Sequence, residues 1–155
     1  MFNYYGFTEQ LFQTVYVLNT SLCRAKNICG ISYKFLKVPY NRMYGIETIN
    51  INNTDIMVSS KERTLIDLIY FNKPVGGVSP AVNILKEIII KKECDINKLI
   101  EYTAIFPNVT VRKRIGVVLQ NIGIKTSVLR PLAKSVENTA ISSLNASRRG
   151  EINKK

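Results

Sequence analysis

Apolar and polar positions change rhythm once along this chain. Up to residue 59 the recurring spacing is two, the period of a strand with one covered face; beyond it the spacing is three to four, the period of a helix. Residues 13–19 are rich in β-branched and aromatic side chains and predict a first strand. Residues 21–30, with Arg24, Lys26, Asn27 and Gly30, read as a connection. Ile31, Tyr33 and Phe35 alternate with Ser32 and Lys34, a second strand that Pro39 stops. Ile49 and Ile51 alternate with Asn50 and Asn52 in a third strand over 44–51. Asn52 and Asn53 mark a turn, and residues 55–59 predict a fourth strand. Short polar turns between strands favour antiparallel pairing.

The rhythm changes at residues 58–71, VSSKERTLIDLIYF, the stretch around which the rest is arranged. Ser59 and Glu62 have the S-x-x-E spacing of a capping box, in which hydroxyl and carboxylate each satisfy a free N–H of the first turn. Leu65, Ile66, Leu68 and Ile69 follow on one broad helical face. Pro74, Gly76 and Gly77 interrupt the pattern. No strand precedes these glycines and no phosphate-binding motif follows, so they predict a helix–helix connection. Ser79-Pro80 opens the next helix as N-cap and first residue, and Asp95 caps a shorter one. Over 109–122, Val111, Ile115, Val118, Leu119 and Ile122 form one stripe. Gly123 and Ile124 are placed to end that helix in a Schellman turn. Gly116 inside it implies close approach of another backbone. Residues 127–135 predict a short or kinked helix around Pro131, and residues 140–144 a last strand or turn. The expectation is a single α+β domain over residues 1–155: an antiparallel sheet from 13–58, with helices from 59 onward packed on it and on each other.

Charge narrows the choice of partner. The chain of 155 residues carries a net charge of +11, unevenly spread. Residues 1–60 contribute +2, residues 61–108 +1, and residues 109–155 +8. A local excess of this size suits nucleic acid or an acidic protein surface. The residues expected to carry such binding are Arg112, Lys113, Arg114, Lys125, Arg130, Lys134, Arg148 and Arg149. Arg112, Lys113 and Arg114 sit in the first turns of their helix, where cations oppose the helix dipole. That placement points to a use for them elsewhere. A membrane surface is not the expected partner, because the basic helix lacks exposed large apolar residues, and no apolar run approaches the ~20 residues of a membrane span.

Chemistry is restricted by what is missing. There is no histidine, and the three cysteines form no C-x-x-C pair. A disulfide framework, a zinc site or another cofactor is therefore not expected, and a reduced cytoplasmic setting is. The enzymatic alternative is a metal-dependent nuclease built on Glu47, Asp55, Glu62 and Asp67 with Lys61 assisting. Glu62 is better explained as a cap, so a non-enzymatic binding domain is the expectation.

The order of motifs resembles the C-terminal antitoxin domain of the AbiEi-type abortive-infection family. The likeness rests on Tyr5-Gly6-Phe7-Thr8-Glu9-Gln10, on Ser60-Lys61-Glu62-Arg63-Thr64-Leu65-Ile66-Asp67 and on Gly76-Gly77. It continues in Leu99-Ile100-Glu101-Tyr102 and in Arg112-Lys113-Arg114-Ile115-Gly116-Val117-Val118-Leu119. The resemblance implies the antitoxin and transcriptional-regulator half of a type IV toxin–antitoxin system. Its partner would be a nucleotidyltransferase-like toxin, countered without a stable complex. In that family a winged helix-turn-helix domain usually precedes this one and reads promoter DNA. It has no counterpart in this sequence, so operator recognition is expected only of a longer protein. The alternative reading is a general nucleic-acid-binding module with no antitoxin role.

Overall fold

The computed structural model describes residues 1–7, 14–137 and 139. The chain is α+β, with strands in its N-terminal part and helices after them. The strands are β1 (Thr14–Asn19), β2 (Lys26–Ile28), β3 (Ile31–Lys37), β4 (Ile46–Ile51) and β5 (Thr54–Ser59). The helices are α1 (Lys61–Tyr70), α2 (Val78–Ile90), α3 (Ile96–Ile105), α4 (Val109–Asn121) and α5 (Thr126–Val136). The strand or turn expected at 140–144 lies outside the described residues.

The strands do not form the single antiparallel sheet that the short turns predict. They form a three-stranded sheet in the order β1-β3-β2 and a separate hairpin of β4 and β5. The difference comes from β2, which lies within the expected connection. A two-residue turn with positive φ at Cys29 and Gly30 folds β2 back antiparallel onto β3. Two reversals of direction then leave β3 parallel to β1, with Tyr16 opposite Lys34 and Leu18 opposite Leu36. Asn52 and Asn53, both at positive φ, close the β4–β5 hairpin at the expected turn. Pro39 ends β3 as expected, and a 3-10 turn, Tyr40–Arg42, leads toward the hairpin.

Nor are the helices laid mainly on a sheet. No residue of the five strands is buried. The core consists of Phe7 with Leu65, Ile66, Leu85, Leu99, Ile115, Leu119, Leu132 and their neighbours, drawn from all five helices. Helix α1 is buried at seven of ten positions, so it is the central rod that α2, α3 and α4 pack around. The sheets attach at its two ends. Ser59, the last residue of β5, leads directly into α1, and Tyr16 of β1 stacks on Phe71 just past the helix end, ring centroids 6.5 Å apart.

Local signals in the helical part are mostly followed. Asp95 caps α3 by accepting from the N–H groups of Asn97 and Lys98. Asn108 caps α4 through Val111 N–H. At the far end of α4, Gly123 N donates to Gln120 O and Ile124 N to Leu119 O, the Schellman pair. Helix α2 departs from expectation: it starts at Val78 with Gly77 at the cap, and Ser79 caps nothing. Pro80 then falls within the first turn, where a missing N–H loses no helical bond. Gly116 faces the Leu132 side chain, 3.4 Å from where a Cβ would sit, rather than another backbone.

Candidate nucleic-acid or partner interface

Two sets of polar side chains organise the helical body. The first is the stretch from Ser59 to Asp67. The N-cap of α1 is Ser60, whose Oγ accepts from Arg63 N at 3.2 Å. Ser59 cannot serve, because its backbone is paired with Ile46 in the hairpin ladder. Its hydroxyl meets Thr64 Oγ1 at 2.8 Å instead. The expected capping box is therefore absent, and Glu62 is free to reach another element. Its Oε1 accepts from Asp95 N at 2.9 Å, tying the start of α1 to the start of α3.

Arg63 is the centre of this set. It is 3% exposed. Its Nε donates to Asp67 Oδ2 at 3.1 Å, and its Nη1 donates to the carbonyls of Arg42 (2.9 Å) and Tyr44 (3.2 Å). The guanidinium also lies 4.5 Å from the Tyr44 ring centroid and 5.6 Å from that of Phe106. One side chain of α1 thus holds the link between the two sheets and touches the end of α3. Gly45 makes this possible. It has φ +63°, and a Cβ there would come within 2.9 Å of Arg63 Cβ and 3.0 Å of the Tyr102 ring. Asp67 is held in a poor environment for a carboxylate. Burial raises its pKa, Arg63 opposes that rise, and Oδ1 is buried without a hydrogen-bond partner.

The second set comprises the basic residues. Arg112 turns inward: its Nη1 donates to Ser135 O at 2.7 Å and to Ala104 O at 3.4 Å. Both carbonyls belong to last turns, of α5 and α3, where backbone oxygens lack helical partners and the dipole is negative. A cation misplaced on its own helix dipole is well placed on two others. Lys113 donates to Thr139 O at 3.2 Å, just past α5. Arg114 is partly buried, with Nε unpartnered, and desolvation lowers its pKa. Lys125, Arg130 and Lys134 are exposed at the N-cap and along the outer side of α5. Arg130 and Lys134, four residues apart, share one helical face. Arg148 and Arg149 lie outside the described residues. The six described residues therefore do not act as one surface: Arg112 and Lys113 tie helices together, and Lys125, Arg130 and Lys134 face solvent.

The carboxylates of the nuclease alternative are kept apart by their jobs. Glu62 serves Asp95, and Asp67 serves Arg63. Asp55 accepts from Asn50 across the hairpin, while Glu47 lies on the opposite hairpin face. Among the described residues no group of three or more possible ligand side chains could hold a metal ion, and no helix is long and apolar enough to cross a membrane. The roles of Arg63, Arg42 and Gly45 were not foreseen. The one local signal is the i, i+4 spacing of Arg63 and Asp67; their partners at 42–45 are distant in sequence. No protein-family model matches the chain, and no curated protein or solved structure matches it significantly.

Proposed function

We propose that this chain is an antitoxin and transcriptional-regulator domain of a type IV toxin–antitoxin system. It is non-enzymatic, counters a nucleotidyltransferase-like toxin in the cytoplasm, and uses the outer side of α5 for nucleic-acid or partner contact. The observation that carries this reading is the place of the motif on which the family resemblance rests. Residues 60–67 form the polar hub of the helical body through Ser60, Glu62, Arg63 and Asp67, so the resemblance concerns the stretch that sets the shape. The exposed Lys125, Arg130 and Lys134 supply the cations that phosphate or an acidic surface would meet.

Growth rescue tests it. The chain is expressed beside its neighbouring toxin gene, with an empty vector and the Lys125→Ala/Arg130→Ala/Lys134→Ala variant as comparisons. The expected result is rescue by the parent chain and loss of rescue by the variant. Failure of the folded parent chain to rescue overturns the antitoxin reading. The +8 excess over residues 109–155 favours a second reading, a nucleic-acid-binding module alone. That reading predicts salt-dependent binding to unrelated duplexes without rescue, with a log–log salt slope flattened by about 2.7 when three phosphate contacts are removed.

A further inference from the structure

A small cleft lies where three parts of the molecule meet. Arg42 of the 3-10 turn forms one wall, Tyr70 at the end of α1 a second, and Phe106, Pro107 and Asn108 between α3 and α4 the third. Its volume is about 100 Å³. That is enough for one small group and too little for a whole drug-sized ligand.

We propose that this cleft is a phosphate subsite in which Arg42 is the binding cation. Arg42 is the sole charged residue of the lining. Among the described residues the one ion pair is Arg63–Asp67, so the Arg42 guanidinium has no carboxylate to satisfy. Its backbone is nonetheless fixed, because the Arg42 carbonyl accepts from the buried Arg63 at 2.9 Å. The two arginines have divided roles: Arg63 is consumed in holding the turn, and Arg42 is presented by it. A planar, two-pronged donor suits a phosphate group. Asn108, also in the lining, is the N-cap of α4, which places the positive end of that helix dipole at the cleft. Tyr70 is 40% exposed and is braced edge-on by Phe71 and Phe106, with centroids 4.6 and 5.4 Å away. A cation beside a braced aromatic ring is what a single-stranded nucleic acid uses, one for phosphate and one for a base. A free nucleotide offers the same phosphate. The site is separate from the outer side of α5.

The test uses the full chain with three probes: labelled dT12 by fluorescence anisotropy, and AMP and inorganic phosphate by amide shifts at Asn108. Arg42→Gln is expected to weaken dT12 binding about tenfold, the loss of one charge-assisted contact. Tyr70→Leu is expected to weaken it about fivefold or more, the loss of one stacked base. Both effects together assign the phosphate to a nucleic-acid strand. Arg42-dependent shifts with AMP or phosphate, and unchanged dT12 affinity, assign it to a free nucleotide. Unchanged binding of all three probes in Arg42→Gln overturns the proposal, as does equal competition by poly-glutamate. Asn108→Asp guards against misfolding. It keeps an N-cap but puts a carboxylate on the wall, and it must also weaken phosphate binding. The Lys125/Arg130/Lys134 variant separates the two sites: it abolishes rescue without moving the Asn108 shifts.

Discussion

The strand region and the helical region of this molecule are built on different terms. From residue 61 onward, every helix contributes buried apolar side chains to one core. Before that, five strands contribute none, and Ile51, Ile56 and Met57 stand exposed on a two-stranded hairpin. A lone hairpin is marginal in water unless something packs on it. The strand region is therefore held by its attachments: the β5–α1 junction, the Tyr5 hydroxyl donating to Ser59 O at 2.8 Å, the Tyr16–Phe71 stack, and above all Arg63. Residues of similar hydrophobicity are buried in one region and exposed in the other, and a buried cation couples two regions that share little apolar surface.

The sharpest way to break the coupling is Arg63→Ala. It leaves Asp67 buried and uncompensated and frees the carbonyls of Arg42 and Tyr44. The expected loss is about 3–5 kcal/mol in urea unfolding. Adding Asp67→Asn should recover part of that loss; no recovery would mean that the carbonyl contacts, and not the ion pair, dominate. Next come matched truncations. Ile115→Ala, at a fully buried position of α4, should cost about 2–5 kcal/mol. Ile56→Ala, on the open hairpin, should stay within about 0.5 kcal/mol. Equal costs would refute the division into core and appendage.

Arg112→Ala should cost about 1.5–3 kcal/mol through its charge-assisted bonds to the ends of α3 and α5. Amide exchange would report where: faster exchange confined to α5 and the end of α3 is expected. Unchanged stability with weakened DNA binding would return Arg112 to the surface role that its sequence position implies.

A last effect is a pH dependence at the junction. Tyr44 donates its hydroxyl to Tyr102 O at 3.1 Å, and burial pushes its pKa up to about 12, against the opposing pull of Arg63. An unfolded tyrosine ionises near 10, so above that pH the unfolded chain loses the proton first. The stabilisation is complete below about pH 10 and is lost as pH rises toward 12. Tyr44→Phe should flatten this decline in urea midpoints taken across that range. Tyr5, also raised to about 12, should leave a residual slope. Parallel curves for the parent and Tyr44→Phe would remove Tyr44 from the junction's energetics.

The helical half was legible because its signals are local. Asp95, Asn108 and Gly123-Ile124 act on N–H and C=O groups within a few residues, and the stripe of α4 needs only a period of 3.6 to find its core. The hairpin turn at Asn52-Asn53 was legible for the same reason. Strand β2 was not, because three exposed residues carry no alternation, and missing it hid the parallel pairing of β1 and β3. Among the described candidate site residues, only Lys125, Arg130 and Lys134 stand as exposed cations. Arg112 looked like surface charge and is a tie between helix ends. By itself the sequence determined the α+β class, the change of rhythm at residue 59, most of the helix ends and the placement of charge along the chain. Tertiary structure alone decided which cations face solvent, which serine caps α1, and that Arg63, Gly45 and the Arg42 carbonyl meet. Those contacts join residues some twenty positions apart, and neither spacing nor propensity encodes such a distance.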